Sequence, residues 1–312
     1  MSRFLVTGGA GFIGSNIVDA LVKKGHAVRV LDNFSSGRME NLESVLKKIE
    51  VLRGDILDEA IVARAVSGVD YVLHQAALRS VPKSVKNPLL YNDNNVTGTL
   101  MLLNASSKAR VKRFVFASSS SVYGESKTFP QKENVAPMPV SPYAATKLAG
   151  EHYCRIFTQL FGLETVSLRY FNVFGPRQSL ESEYAVVVPK FISCMLKGEN
   201  PPVHGDGTQA RDFTYVENVV SANIKAATSA KAAGKVFNVA SGKKYSILQL
   251  IQNLNEILST RIAPRFVEPR PGDVRYTHAD IRAMKQILGC RVSVDFKAGL
   301  KKTAEYFKRK GF

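Results

Sequence analysis

The stretch VTGGAGFIGSN (Val6–Asn16) does most to limit what this chain can become. Gly8, Gly11 and Gly14 recur at three-residue spacing, directly after the apolar run Phe4–Thr7 and at the head of a segment in which Ile13, Ile17, Ala20 and Leu21 mark one helical face. That segment stops at Gly25, a C-terminal cap, and Ala27–Leu31 follows as a second β-branched run ending on Asp32. A strand, a glycine turn, a helix and a second strand ending on an acid make the unit that binds a dinucleotide. The first glycine permits the tight turn, the second lets backbone amides reach a pyrophosphate at the positive helix N-terminus, and the third allows close helix packing. Asp32 accepts hydrogen bonds from an adenosine ribose diol and repels a 2′-phosphate, which predicts NAD rather than NADP.

Val51–Leu52, Tyr71–Leu73, Phe114–Ala117 and Thr165–Tyr170 continue the alternation of short apolar runs with longer amphipathic segments. This is the pattern of an α/β chain, a parallel sheet with helices on both faces. RGDILD (Arg53–Asp58) follows the third run, and there Asp55 and Ile56 meet either the adenine edge or only a surface turn. After Tyr170 prolines punctuate the remainder, at Pro176, Pro189, Pro201, Pro202, Pro264, Pro269 and Pro271, while KVFNVASG (Lys235–Gly242) looks like one more strand of the sheet.

Charge and cysteine content bound the function classes. The 312 residues carry 43 Lys plus Arg against 26 Asp plus Glu, a net +17 that invites a nucleic-acid reading. The basic residues are scattered, with no aromatic-interleaved stripe or zinc-finger spacing, so no specific nucleic acid is expected as partner. They are densest in DFKAGLKKTAEYFKRKGF, where Phe296, Leu300, Ala304 and Phe307 recur at helical spacing among lysines, and a solvated helix face is the simpler account. Cys154, Cys194 and Cys290 are far apart and form no Cys-x-x-Cys pair, so neither a disulfide framework nor a metal site is expected. A reducing, cytoplasmic setting fits. No run approaches the ~20 apolar residues of a membrane helix, and the chain enters its first strand straight after Met1-Ser2-Arg3, leaving no room for a signal peptide.

Two further stretches carry chemistry. ASSSSVYGE (Ala117–Glu125) places four serines at the end of an apolar strand, and SPYAATKLAGE places Tyr143 and Lys147 four residues apart, on one face of a helix whose start is marked by Ser141-Pro142. A free tyrosine has a pKa of about 10, so at neutral pH about 0.1% is phenolate and a useful base needs a shift worth about 4 kcal/mol. Lys147 and a positive nicotinamide ring would both stabilise that phenolate. Taken alone the pair is an ordinary helix face. With the glycine loop and the serine run it reads as a reaction centre.

Together these motifs resemble the extended short-chain dehydrogenase/reductase family of nucleotide-sugar enzymes, over nearly the whole chain from Phe4 to about Phe307. HQAALRSVPKSVKNPLLYNDNNVTGTLMLL, LRYFNVFGPRQ, HGDGTQARDFTYVENV and RPGDVRYTHADI are similar to UDP-hexose 4-epimerases, and among them to the branch acting on N-acetylated sugars. The resemblance implies a Rossmann domain over 1–171, a doubly wound parallel sheet with a returning strand near 235–240. It also implies a smaller C-terminal α/β domain, mainly 172–312, that binds a UDP-sugar in the cleft. A homodimer through helices near Leu89–Lys108 and Leu148–Phe161 is implied as well.

The same resemblance assigns roles. Ser119 takes the place of the catalytic Ser/Thr, Tyr143 of the base and Lys147 of the helper lysine. The NAD wall then takes in Phe12, Ile13, Asn33, Ser36, Gly37, Gln75, Ala76, Ala77, Asn95, Ser118 and Tyr170, besides the residues already named. Asn172 matches the asparagine on the UDP phosphates, and Arg211 and Arg270 match diphosphate-clamping arginines, whose planar multi-donor cation suits that group. Arg79, Ser121, Val188, Val203 and Asp273 complete the substrate wall, and Thr277 falls at the family's size gate beside the sugar 2-substituent.

Dehydratases of the family have an Asp-Glu pair after the Ser/Thr, and decarboxylases commonly keep an acid there. This chain has Ser120-Ser121. Inversion of carbon 4 through a 4-keto sugar is therefore the implied reaction. A small residue at the gate predicts UDP-N-acetylglucosamine and UDP-N-acetylgalactosamine as substrates, with UDP-glucose and UDP-galactose also accepted. The alternatives are an epimerase restricted to plain hexoses or to UDP-uronic acids, and, in a different class, a non-catalytic NAD-binding sensor. Ser119, Tyr143 and Lys147 standing together argue against the sensor, which needs a glycine loop but no base.

Overall fold

A computed structural model of the chain describes residues 1–126, 128–179, 187–269 and 275–311. Seven strands, β1 (Arg3–Thr7), β2 (Ala27–Asp32), β3 (Ile49–Arg53), β4 (Tyr71–His74), β5 (Arg113–Ser119), β6 (Thr165–Tyr170) and β7 (Lys235–Val239), form one sheet. Their order is β7-β6-β5-β4-β1-β2-β3 and every neighbouring pair is parallel. This is the Rossmann arrangement. The apolar runs therefore build the sheet that their spacing suggested, and Lys235–Val239 returns to its edge beside β6.

Side chains alternate across the sheet because successive Cβ atoms point to opposite faces. Phe4 and Val6 enter one core with α1 (Phe12–Lys23), while Leu5 enters the other with α2 (Glu59–Val66) and α3 (Gly98–Lys108). The second core also takes Cys154 and Phe157 from α4 (Pro142–Leu160), and the first takes Val216, Val219 and Ala226 from α6 (Val216–Thr228). Helices thus cover both faces, and each fully buried Phe or Leu contributes about 2 kcal/mol of transfer free energy. Helix α6 packs against α1 on the main sheet although it follows the strand Thr165–Tyr170 by some distance in the chain.

Beyond β6, β7 apart, the strands are short and pair in twos, Val173–Phe174 with Thr214–Tyr215, Ala210–Arg211 with Tyr245–Ser246, and Pro202–His204 with Arg265–Val267. Helices α5 (Val187–Leu196), α7 (Ile247–Leu258) and α8 (Phe296–Arg309) pack on one another beside them. Phe296, Leu300, Ala304 and Phe307 are buried, so the basic tail is an amphipathic helix that closes this part of the molecule. Two of its lysines are paired, Lys297 with Glu256 at 2.6 Å and Lys302 with Glu217 at 2.8 Å. Among the described residues no helix is long and apolar enough to cross a membrane, and no cluster of His, Cys, Asp or Glu is arranged to hold a metal ion.

Candidate active site

The strand order reverses between β1 and β4, and at such a switch point the loops leaving the strand ends part to form a crevice. Here the crevice is about 1950 Å³, more than the roughly 300–1,000 Å³ of a site for one small ligand. Gly8, Gly11, Phe12, Ile13 and Gly14 form its floor at the start of α1. Gly8 has φ +64°, and a Cβ on it would stand 2.7 Å from the Ala76 nitrogen; a Cβ on Gly14 would stand 2.1 Å from the Gly8 carbonyl oxygen. Both positions admit only glycine. Gly11 meets nothing but the Gly8 oxygen, at 3.2 Å, leaving its other side open to the crevice, where the first amides of α1 lack intrahelical acceptors.

Asp32, Asn33, Ser36 and Ile56 continue this wall, and Gln75, Ala76 and Ala77 face it from the end of β4. The Asp32 carboxylate accepts hydrogen bonds from the Ala10 and Phe34 amides at 2.9 and 2.8 Å. Burial raises its pKa, and those two amides pull it back. The amides at the head of a helix, the open flank of Gly11 and the acid at the end of β2 together suit a dinucleotide diphosphate and its ribose. Tyr170 closes the wall, its hydroxyl 3.0 Å from Asn223 Oδ1 and 3.1 Å from Gln75 Oε1.

The residues expected to carry the chemistry come together where α4 meets the end of β5. Ser141 caps the helix, its hydroxyl accepting from the Ala144 amide at 3.2 Å, and Pro142 occupies the first turn. Tyr143 and Lys147 both line the crevice, as do Ser118, Ser119, Ser120 and Ser121. The Ser121 hydroxyl donates to Ser119 Oγ at 2.9 Å. Lys147 is 4% exposed; its Nζ donates to the Ala117 carbonyl at 2.8 Å and lies 5.0 Å from the Phe116 ring centroid. Burial lowers the Lys147 pKa to about 8. Burial also raises that of Tyr143, against which the Ser119 hydroxyl and then the Arg79 guanidinium pull downward. Arg79 is thus a cation that favours the phenolate.

Arg79 lies in a firmly held loop of the crevice wall. Asn95 brackets Leu78 with two hydrogen bonds of 2.8 and 2.9 Å, Tyr91 accepts from the Ser80 amide at 3.0 Å, and Ser84 accepts from the Tyr143 amide at 3.1 Å. The loop is thus fastened directly to the head of α4.

Opposite, Asn172, Val203, Arg211 and Thr277 line the crevice. Arg211 Nη1 donates to the Ala210 and Arg275 carbonyls, both at 3.1 Å. The Thr277 hydroxyl accepts from Asn172 Nδ2 at 2.9 Å and from the Asp212 amide at 3.2 Å, so the gate residue also holds the asparagine assigned to the phosphates. Beneath them Asp212 is fully buried and accepts from Ser241, Gly242 and Ala279, while burial raises its pKa to about 6. That carboxylate ties three separate chain segments into one wall.

Four expected residues do not line the crevice. Gly37 is packed behind Asp32, Asp55 spends its carboxylate on Asn33 and the Leu57 amide, Asn95 supports the Arg79 loop, and Val188 is fully buried. Arg270 and Asp273 lie outside the described residues. Two groups escaped the sequence reading. Arg177, at φ +71°, pairs with Asp19 at 2.6 Å and lines the crevice with Gln178, whose buried Oε1 has no hydrogen-bond partner among the described residues. Glu151 pairs with Arg169 behind the serine run; its spacing from Tyr143 and Lys147 was the available signal.

Comparison with known proteins agrees with this geometry. The model of the NAD dependent epimerase/dehydratase family matches residues 4–240. The UDP-glucose 4-epimerase of Mycolicibacterium smegmatis is 38% identical, with 99% of each chain covered. Among solved structures, the UDP-N-acetylglucosamine 4-epimerase from Methanobrevibacter ruminantium M1, in complex with UDP-N-acetylmuramic acid, superposes with a TM-score of 0.95 at 43% identity, covering 99% of both chains. The UDP-glucose 4-epimerase of Thermotoga maritima with UDP-glucose gives 0.94 at 41% identity, again over 99% of both.

Proposed function

The chain belongs to the NAD dependent epimerase/dehydratase family, and we propose that it inverts carbon 4 of a UDP-hexose through a 4-keto sugar, with UDP-N-acetylglucosamine and UDP-N-acetylgalactosamine as its main pair. The observation that carries this reading is the end of β5. Ser119 stands beside the Tyr143 phenol, and the two positions that follow are Ser120 and Ser121. Elimination would need an acid and a base there, and decarboxylases of the family commonly keep an acid at that place. The acidic residues on the described crevice wall are Asp32, Glu40, Glu43 and Glu125, none of them in the serine run.

NAD bound along Gly8–Gly14 supplies the reversible oxidation of carbon 4, so that no net redox change accompanies turnover. The chain's own residues supply the rest. Tyr143 removes the proton of the 4-hydroxyl and later returns it, and Ser119 hydrogen-bonds the same oxygen. Asn172 and Arg211 hold the UDP while the flat sugar turns over, exposing its other face. Support for the acetamido substrates comes from Thr277, whose small side chain leaves room beside the sugar 2-substituent, and from the similarity to the M. ruminantium enzyme. UDP-glucose and UDP-galactose, which carry the smaller 2-hydroxyl, are expected to be accepted as well.

Thr277 variants separate size from hydrogen bonding. Thr277→Tyr should lower kcat/KM for UDP-N-acetylglucosamine about 10–200-fold more than for UDP-glucose, the range a misfit pocket produces. Thr277→Val, which removes only the acceptor for Asn172 and the Asp212 amide, should weaken both substrates alike, by about three- to tenfold. Capillary separation of the products gives both ratios. Equal losses on the two substrates in the tyrosine variant would remove the gate.

We further infer a homodimer, supported by the apolar residues Leu89, Leu90 and Val85 left exposed beside α4, at 78%, 56% and 63%. A sedimentation mass of one chain would refute it.

A further inference from the structure

Behind the serine run lies a buried charge pair that the reaction scheme does not use. Glu151 stands one turn beyond Lys147, so α4 presents Tyr143, Lys147 and Glu151 along one stripe at four-residue spacing. Arg169 reaches it from β6, where it lies directly across from Ser118 in the sheet register. The contact is bidentate: Arg169 Nε donates to Glu151 Oε1 at 2.9 Å and Nη2 to Oε2 at 2.7 Å, with both side chains 4% exposed. The Ser118 hydroxyl donates to the same Oε1. Arg169 is itself fixed, 4.7 Å from the Tyr123 ring centroid and donating to the Glu133 carbonyl at 3.3 Å.

Each residue of the stripe therefore addresses a different one of the last three residues of β5. Lys147 holds the Ala117 carbonyl, Glu151 holds the Ser118 hydroxyl, and the Tyr143 phenol meets Ser119. A buried ion pair is a weak source of stability, because the cost of stripping water from two charges offsets their attraction, and an apolar pair of similar volume often does as well. It does impose direction: both carboxylate oxygens are engaged, and the planar guanidinium has one orientation that satisfies them.

We propose that Glu151, clamped by Arg169, is a positioning residue that holds the Ser118–Ser119 strand end so that Ser119 can share the reacting oxygen with Tyr143. The proposal rests on the 4-epimerase reading of the same site. It acts on the chemical step and leaves the UDP grip, on the far wall of the crevice, untouched.

The double variant Glu151→Met with Arg169→Met replaces the pair by apolar side chains and removes both of its charges together. Assayed on UDP-N-acetylglucosamine at saturating NAD, it should lose at least about tenfold in kcat, the scale of a small misplacement at a reacting centre, with KM within about threefold of wild type. Its thermal midpoint should match or exceed that of wild type. Glu151→Gln, which keeps an acceptor for Ser118, is expected to fall between the two in kcat with the same KM, and it carries the test if the double variant does not fold. Wild-type kcat in a folded double variant, or KM rising in step with the fall in kcat, overturns the positioning role. Wild-type protein inactive on every UDP-hexose would instead remove the reading beneath it.

Discussion

Tyr143→Phe should lower turnover of any accepted UDP-hexose by about a thousandfold, within the 10²–10⁴ range of a lost general acid–base group, while the protein stays folded and binds UDP normally. The loss is confined to chemistry because the phenol hydroxyl meets only Ser119 among the groups that lower its pKa by hydrogen bonding, and the ring itself is retained. Burial holds the phenol above its ordinary pKa in the cofactor-free chain. Proton removal therefore depends on cations: Arg79 pulls the phenol's pKa downward, and Lys147 lines the same crevice one turn along α4. Turnover kept within about tenfold of wild type would dismiss Tyr143 as the base.

Lys147→Met should move activity and stability in opposite directions. Removing the ammonium beside the reaction centre should lower turnover by about 10²-fold or more. The same change should stabilise the cofactor-free protein at neutral pH by about 1–2 kcal/mol, because a buried ammonium whose pKa has fallen to about 8 carries a desolvation cost only partly offset by the Ala117 carbonyl. The pH dependence fixes the sign. Between about 8 and the ordinary lysine value of about 10.4, the unfolded chain binds more protons at this site than the folded one, so Lys147's penalty is full below that window and fades as pH rises through it. Denaturant unfolding should accordingly show the gap between variant and wild type narrowing as pH climbs. A variant less stable than wild type at neutral pH would contradict this.

Much of the frame was legible because it is local. The glycine spacing, the apolar runs and the Tyr143–Lys147 interval each depend on residues within a few turns of one another, and local periodicity is what a sequence displays directly. The strand end at Asp32 and the cap at Ser141 follow from the same local chemistry, whereas β5, read as Phe114–Ala117, runs on to Ser119. What escaped depends on partners distant in the chain. Glu151 reads as a surface acid until β6 brings Arg169 against it, and Asp212 reads as one more acid beside an arginine until Ser241 and Ala279 converge on it. Thr277 was legible as small but not as an acceptor for Asn172. The net charge of +17 was also ambiguous on its own; α8 turns the apolar residues of the densest basic segment inward and pairs two of its lysines with acids.

The most direct test follows an isotope. UDP-N-acetylglucosamine carrying deuterium at carbon 4, incubated with the protein and NAD in ordinary water, should become UDP-N-acetylgalactosamine with the deuterium still on carbon 4 and no net consumption of NAD. Deuterium moved to carbon 6, or a 6-deoxy-4-keto or decarboxylated product from any UDP-sugar offered, would contradict inversion at carbon 4.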